Sequence, residues 1–146
     1  KVLTFKPPEG RCGILNYKSI TIIDDTYNAN LTSTIAALEY LNAFPNDGRK
    51  IFVFGDMLEL GKASKHQHGE VGIKCSILNI DIVYTIGEHT VFTDSKISNG
   101  IDHVHFKTKN LLIEKLKNTI QKKDKVLFKG SRSMRMDEII AKVFKF

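Results

Sequence analysis

Short β-branched or aromatic runs alternate along the chain with stretches whose apolar residues recur every three or four positions. Residues 20–23, 50–54, 80–86, 103–106 and 126–128 are apolar runs of strand length. Residues 11–16 are placed to pair with 20–23 as a hairpin across Tyr17-Lys18-Ser19, which makes the first strand antiparallel. Leu31, Ile35, Leu38 and Leu41 or Asn42 follow the i, i+4, i+7 spacing of a helix with one buried stripe, expected over 31–43 and ended by Pro45-Asn46-Asp47-Gly48. Further helices are expected over 66–78, on Leu112, Leu116 and Ile120, and on Met136, Ile139, Ile140 and Val143, with a short one near 89–94. Residues 55–64 read as a loop, and residues 1–10, with Pro7, Pro8 and Gly10, as a linker. Strand and helix thus alternate at least four times. That pattern predicts an α/β, three-layer, Rossmann-like domain over residues 11–146: a mostly parallel sheet with an antiparallel edge strand and helices on both faces.

Composition adds bounds. The 146 residues suit one domain with one core, and 42% apolar and 26% charged residues are ordinary for a soluble globular protein. No apolar run approaches the roughly 20 residues that span a membrane, so no membrane insertion is expected. The start, Lys1-Val2-Leu3-Thr4-Phe5-Lys6, is too short and charged for a signal peptide, and it lacks a methionine, so the chain is expected to be excised from something longer. Cys12 and Cys75 are expected to stay reduced in a cytoplasmic protein. The net charge of +6 favours anionic partners, but no nucleic-acid module signature is present and no nucleic-acid partner is expected. The Lys122-Lys123-Asp124-Lys125 run reads as a solvated turn.

The chemistry gathers where strands end. Asp24-Asp25-Thr26-Tyr27-Asn28-Ala29-Asn30 lies between the strand at 20–23 and the first helix, the edge at which open α/β sheets bind ligands. Asn30 or Thr32 as a helix cap and Asp24 or Asp25 as a turn former would account for one or two of these polar residues, not for all. After the next strand, Asp56 and Glu59 offer carboxylates that could hold a substrate ammonium group; the alternative for Asp56 is a turn cap. Met57 and Leu60 are expected to pack on the core. After the last strand, Gly130 permits a tight turn and Ser131, Arg132 and Ser133 are expected to open a helix whose free N–H groups favour an anion, with Arg132 adding a two-pronged donor for a carboxylate. Plain capping by Ser131 or Ser133 is the alternative, and Arg135 competes with Arg132 for the role. A phosphate-binding P-loop is excluded: five residues separate Gly55 from Gly61, Ala63 follows Lys62, and Asp56 and Glu59 would oppose the phosphates. His66 and His68 lie about 200° apart on their helix, and His103 and His105 lack a third ligand, so no metal is expected in this domain.

Three blocks carry a resemblance: Asp24 to Asn30, then Phe54-Gly55-Asp56-Met57-Leu58-Glu59-Leu60-Gly61, then Lys129-Gly130-Ser131-Arg132-Ser133-Met134-Arg135-Met136. In this order they resemble the C-terminal domain of the Mur ligases, and within them the MurF type. His68-Gly69-Glu70-Val71-Gly72 also resembles a family segment, and Leu31 stands where the family usually has proline, which suits a first helical position. The resemblance implies an ATP-dependent, amide-forming ligase of peptidoglycan precursor synthesis. In it D-alanyl-D-alanine is added to UDP-N-acetylmuramoyl-tripeptide, and ATP and magnesium are held mainly by a central domain outside this chain. It implies that Arg11 reaches the terminal phosphate of the nucleotide, that Asp25 contacts its ribose, and that residues 1–10 hold one end of a hinge to the central and N-terminal domains. Tyr27, Asn28, Asn30, Asp56, Ser131 and Arg132 are the candidate substrate-binding residues. No catalytic residue is expected in this domain alone. The alternatives are another muramoyl or folyl ligase and a free-standing, non-catalytic module for an anionic metabolite; the sequence encoded upstream of Lys1 would discriminate them.

Overall fold

A computed structural model describes residues 13–145. Arg11, Cys12 and the linker expected over residues 1–10 lie outside the described residues. Six strands form one sheet: β1 (Gly13–Tyr17), β2 (Ile20–Asp25), β3 (Lys50–Gly55), β4 (Ile82–Ile86), β5 (Asp102–Phe106) and β6 (Lys125–Lys129). Their spatial order is β1-β2-β6-β3-β4-β5, with β1 antiparallel to β2 and every other pair parallel. The expected class and the antiparallel edge are both present. The helices are α1 (Leu31–Asn42), α2 (Ser64–Ile77), α3 (Val91–Asp94), α4 (Lys109–Thr119) and α5 (Met136–Phe144).

Alternation along the strands sends side chains to two separate cores. On one face Ile23, Phe52, Phe54, Val83 and Leu127 pack under α1, α2 and the α3 segment through Leu38, Leu41, Val71, Cys75 and Ile97. On the other, Ile22, Ile51, Val53, Tyr84, Val126 and Phe128 meet α4 and α5 through Leu112, Leu116, Ile139, Ile140 and Phe144. Each such fully buried side chain contributes roughly 1.5–3 kcal/mol. Helices therefore cover both faces, and the sheet is the middle of three layers.

Several local expectations need correction. The buried stripe of α1 is Thr34, Ala37, Leu38, Tyr40 and Leu41; Ile35 is half-buried and Asn42 exposed. Leu31 opens that helix without help from proline, because Asn30 supplies a capping box with Ser33. The lysine-rich turn is only partly solvated. Asp124 is buried and takes both prongs of Arg49 at 2.7 and 3.0 Å, and Lys125 is buried against Asp47.

Topology also fixes where a ligand site can form. The chain leaves β2 and β3 for helices on one face and leaves β6 for α5 on the other. The carboxyl ends of β2, β6 and β3 thus flank the points where the winding reverses, where open α/β sheets leave a crevice.

Candidate functional site

Strand β2 runs two residues further than its apolar core, so Asp24 and Asp25 are strand residues pointing to opposite faces. Asp24 accepts from the Thr26 hydroxyl at 2.6 Å and the Thr26 N–H at 3.2 Å, which makes it the turn former. Asp25 stands in register with Lys129 on β6, and Lys129 Nζ donates to Asp25 Oδ2 at 2.7 Å and to the Asn28 carbonyl at 2.9 Å. Lys129 is 1% exposed and Asp25 5%. A buried ion pair of this kind costs desolvation to form, and removing one partner strands the other charge, at about 3–5 kcal/mol. The sequence reading passed over Lys129; its place in strand register opposite Asp25 was the missing signal.

The other residues of that block divide. Tyr27 is 47% exposed, and its ring lies 5.4 Å from the Arg132 guanidinium carbon, which joins the loop after β2 to the loop after β6. Asn28 is exposed and its side-chain oxygen accepts from the Ala29 N–H at 2.8 Å. Asn30, a candidate for substrate, has its Oδ1 committed to the Ser33 N–H at 2.8 Å as the cap of α1.

Asp56 is the clearest departure. It is 3% exposed, and its carboxylate accepts from the backbone N–H groups of Glu88, His89 and Thr90, each at 2.9 Å. Successive amides curled in this way form a nest for an anion, and here the anion is the chain's own side chain. Gly87, at φ +123°, opens the nest; a Cβ there would sit 2.3 Å from Asp56 Oδ1. Asp56 therefore clamps the loop after β4 to the loop after β3, which is the turn-capping alternative in a stronger form, with both carboxylate oxygens engaged by backbone amides.

His68, for which the sequence offered no role, is fully buried. Its Nδ1 lies 2.8 Å from the Ser64 carbonyl and its Nε2 accepts the Met57 N–H at 3.0 Å, so the ring is neutral with its proton on Nδ1. Burial pushes its pKa below the ordinary histidine value. Met57 itself packs in the core as expected.

The loop after β6 differs from its expected form. Residues 132–134 make a single 3₁₀ turn, Arg135 takes a left-handed conformation at φ 51°, and α5 begins only at Met136. Ser131 precedes only this 3₁₀ turn, while the α-helix starts five residues later and opens with Asp137 and Glu138, so its dipole does not favour an anion at Ser131. Ser131 neither caps nor faces solvent: its hydroxyl oxygen accepts the Leu58 N–H at 2.8 Å and its N–H donates to the Asp56 carbonyl at 2.9 Å. Gly130 matters for close approach, since a Cβ would stand 3.3 Å from the Gly55 Cα and 2.8 Å from Met136. Of the two arginines, Arg135 is engaged with Asp137 at 3.0 and 3.1 Å, whereas Arg132 is exposed and pairs with no carboxylate among the described residues. Among the described residues no cluster of His, Cys, Asp and Glu could ligate a metal, and no helix is long and apolar enough to cross a membrane.

Known proteins are similar to this chain in sequence and fold. The family model for the Mur ligase, glutamate ligase domain, matches residues 10–132. The UDP-N-acetylmuramoyl-tripeptide–D-alanyl-D-alanine ligase of Buchnera aphidicola (strain APS) is 39% identical over 126 residues, which cover 85% of this chain and 27% of that protein. Its namesake in Escherichia coli K12 is 37% identical over 123 residues, 82% of this chain and 26% of that one. Among solved structures, MurF ligase from Thermotoga maritima in complex with ADP superposes with a TM-score of 0.80 at 30% identity, over 98% of this chain and 32% of that chain. MurF from Acinetobacter baumannii gives 0.84 at 29% identity, over 93% and 30%. The chain thus spans about a quarter to a third of the proteins it matches. By sequence and by fold it belongs to the Mur ligase family, as a C-terminal domain of the MurF type.

Proposed function

We propose that this chain is the dipeptide-binding, nucleotide-closing C-terminal domain of a cytoplasmic ATP-dependent ligase that joins D-alanyl-D-alanine to UDP-N-acetylmuramoyl-tripeptide. The observation that carries this reading is the crevice edge at β2, β6 and β3: it presents an unpaired Arg132 over the Tyr27 ring, in a chain 39% identical over most of its length to a ligase of that name. ATP passes its terminal phosphoryl group to the tripeptide carboxylate and leaves as ADP; the dipeptide amine then attacks the acyl phosphate, expelling phosphate and losing a proton as the amide bond forms. The central domain, joined through a hinge at residues 1–10, supplies the P-loop and magnesium; the described residues contain no group of three His, Cys, Asp or Glu that could hold a metal, and no step is assigned to the metal here.

The domain's contribution is positioning. Asp25, held in place by Lys129, contacts the ribose, and Arg11 reaches the terminal phosphate when the domains close. Arg132 receives the dipeptide carboxylate, with Tyr27 and Asn28 beside it. Asn30, Asp56 and Ser131 serve the substrate indirectly, by fixing the loops that carry those groups. Holding two reactants in attack geometry removes much of the entropic barrier, and domain closure excludes water.

Arg132→Lys in the full-length protein tests this. Lysine keeps the charge but loses the paired donors. The KM for D-alanyl-D-alanine is expected to rise by about ten- to a hundredfold, the worth of a charged hydrogen bond of about 1.5–3 kcal/mol, with the KM for ATP little changed. A dipeptide amidated at its C-terminus should bind the wild type poorly and lose little more on mutation. An equal penalty on free and amidated dipeptide would remove Arg132 from the carboxylate.

A further inference from the structure

With Asp56 buried in its nest, the block from residue 54 to 61 is left with one exposed carboxylate, that of Glu59. Three consecutive residues before it are pinned, each by a different element. The Asp56 side chain is held by the loop after β4, the Met57 N–H by His68 on α2, and the Leu58 N–H by Ser131 beyond β6. Glu59 follows at once in the left-handed region, at φ 64°. Non-glycine residues enter that region at a cost. The other such residues occupy ordinary places for it: Lys18 and Ser19 in the hairpin turn, Asn79, Arg135 and Lys145 at helix ends, and Lys123 in the turn before β6. Glu59 closes neither a helix nor a hairpin. Among the described residues it has no cation and no hydrogen-bond donor as partner. A backbone turn that costs free energy, supported by three cross-links, thus lies beneath a carboxylate with no partner among the described residues.

Its neighbour across the crevice supplies the complement. The Leu58–Ser131 hydrogen bond ties the two loops together, and the next residue on each side is a charged one, Glu59 on one loop and Arg132 on the other. An exposed carboxylate and an exposed guanidinium, neither paired with an opposite charge among the described residues, flank one cross-link and together suit a zwitterion.

We propose that Glu59 is a substrate-binding residue that receives the ammonium end of the incoming dipeptide, and so selects substrates with a free amino terminus. This rests on the reading of the domain as the dipeptide binder and adds the residue opposite Arg132. The carboxylate holds the ammonium in the crevice while Arg132 fixes the far carboxylate, so both charges of the dipeptide are read together; the nitrogen then gives up a proton to solvent, which frees the lone pair that attacks the acyl phosphate.

The test uses the full-length protein with Glu59→Gln and Glu59→Gly. Both variants should raise the KM for D-alanyl-D-alanine at least tenfold and leave those for ATP and the UDP-linked tripeptide within about twofold. Glu59→Gly also relieves the backbone, so its Tm should equal or exceed that of the wild type, which separates lost binding from lost folding. N-acetyl-D-alanyl-D-alanine, which has no ammonium group, should compete weakly against the wild type and equally weakly against Glu59→Gln. The proposal is overturned if all three KM values rise together, or if the acetylated dipeptide loses as much affinity on mutation as the free one. A wild-type protein that ligates a different amine would overturn the substrate reading alone, and the same KM ratio on that amine would still decide Glu59. A wild-type protein with no ligase activity would overturn both.

Discussion

His68 shows how much one buried side chain organises. Its two ring nitrogens join the first turn of α2 to the start of the loop after β3, and the bond that Nε2 accepts from the Met57 N–H requires the neutral ring. Because burial lowers its folded pKa beneath the ordinary value near 6.5, the unfolded chain binds the extra proton first as pH falls. The stability it supports is full above about pH 6.5 and is lost as pH drops toward the folded value, by up to about 1.4 kcal/mol per pH unit. Urea unfolding at pH 7.5, 6.5 and 5.5 should therefore show a steeper acid loss in the wild type than in His68→Gln; parallel losses would clear His68 of the effect. The sequence could reveal little of this. Arg132 and Arg135 were both visible as cations in a strand-end loop, and Tyr27 as an aromatic in another, but the pairing of Arg135 with Asp137 was not, so the sequence left the two arginines competing. The cap by Asn30 was among the readings the sequence allowed, whereas the partners of Asp25 and Asp56 were hidden. Lys129 is 104 residues from Asp25, and the nest around Asp56 consists of backbone amides more than thirty residues away, which no side-chain pattern encodes.

At the scale of elements, hydrophobic period placed every strand and helix to within a few residues, since each has one or two faces to bury. Errors fell at the ends. Strand β2 outran its apolar core because Asp25 and Lys129 neutralise each other inside the sheet edge, and α5 started late because Arg135 breaks the run at φ 51°. The loop after β4 is an element in its own right, and Gly87 is its hinge point. Alanine at 87 would place a Cβ into the Asp56 carboxylate in a backbone region that only glycine enters freely. Gly87→Ala is expected to cost about 3 kcal/mol or more, read as a lower urea midpoint with unchanged slope. A loss below about 1 kcal/mol would mean that the nest is dispensable.

Across the described residues one sheet lies between two helical layers, with the proposed site at its carboxyl edge. Its amino-terminal edge is tied by Arg49 to Asp124, Lys50 to Asn46 and Lys125 to Asp47, so three of the cations counted in the net charge are spent internally there. Its carboxyl edge carries the free groups but no triphosphate cradle. The purified 146-residue chain is accordingly expected to release no ADP and to form no peptide bond with ATP, the tripeptide substrate and D-alanyl-D-alanine; ligation by the chain alone would refute that division of labour. The place of β6 has a further consequence, for the order in which the chain assembles. It is the last strand made, yet it lies between β2 and β3. Until residues 125–129 leave the ribosome, the first hairpin and the β3-β4-β5 half share no strand contact, and each waits with an open edge. Closing them demands contacts across about a hundred residues, which slows folding and delays it until synthesis of the domain is nearly complete. The strand that aligns Lys129 with Asp25 is thus also the one whose late arrival turns two halves into a single sheet.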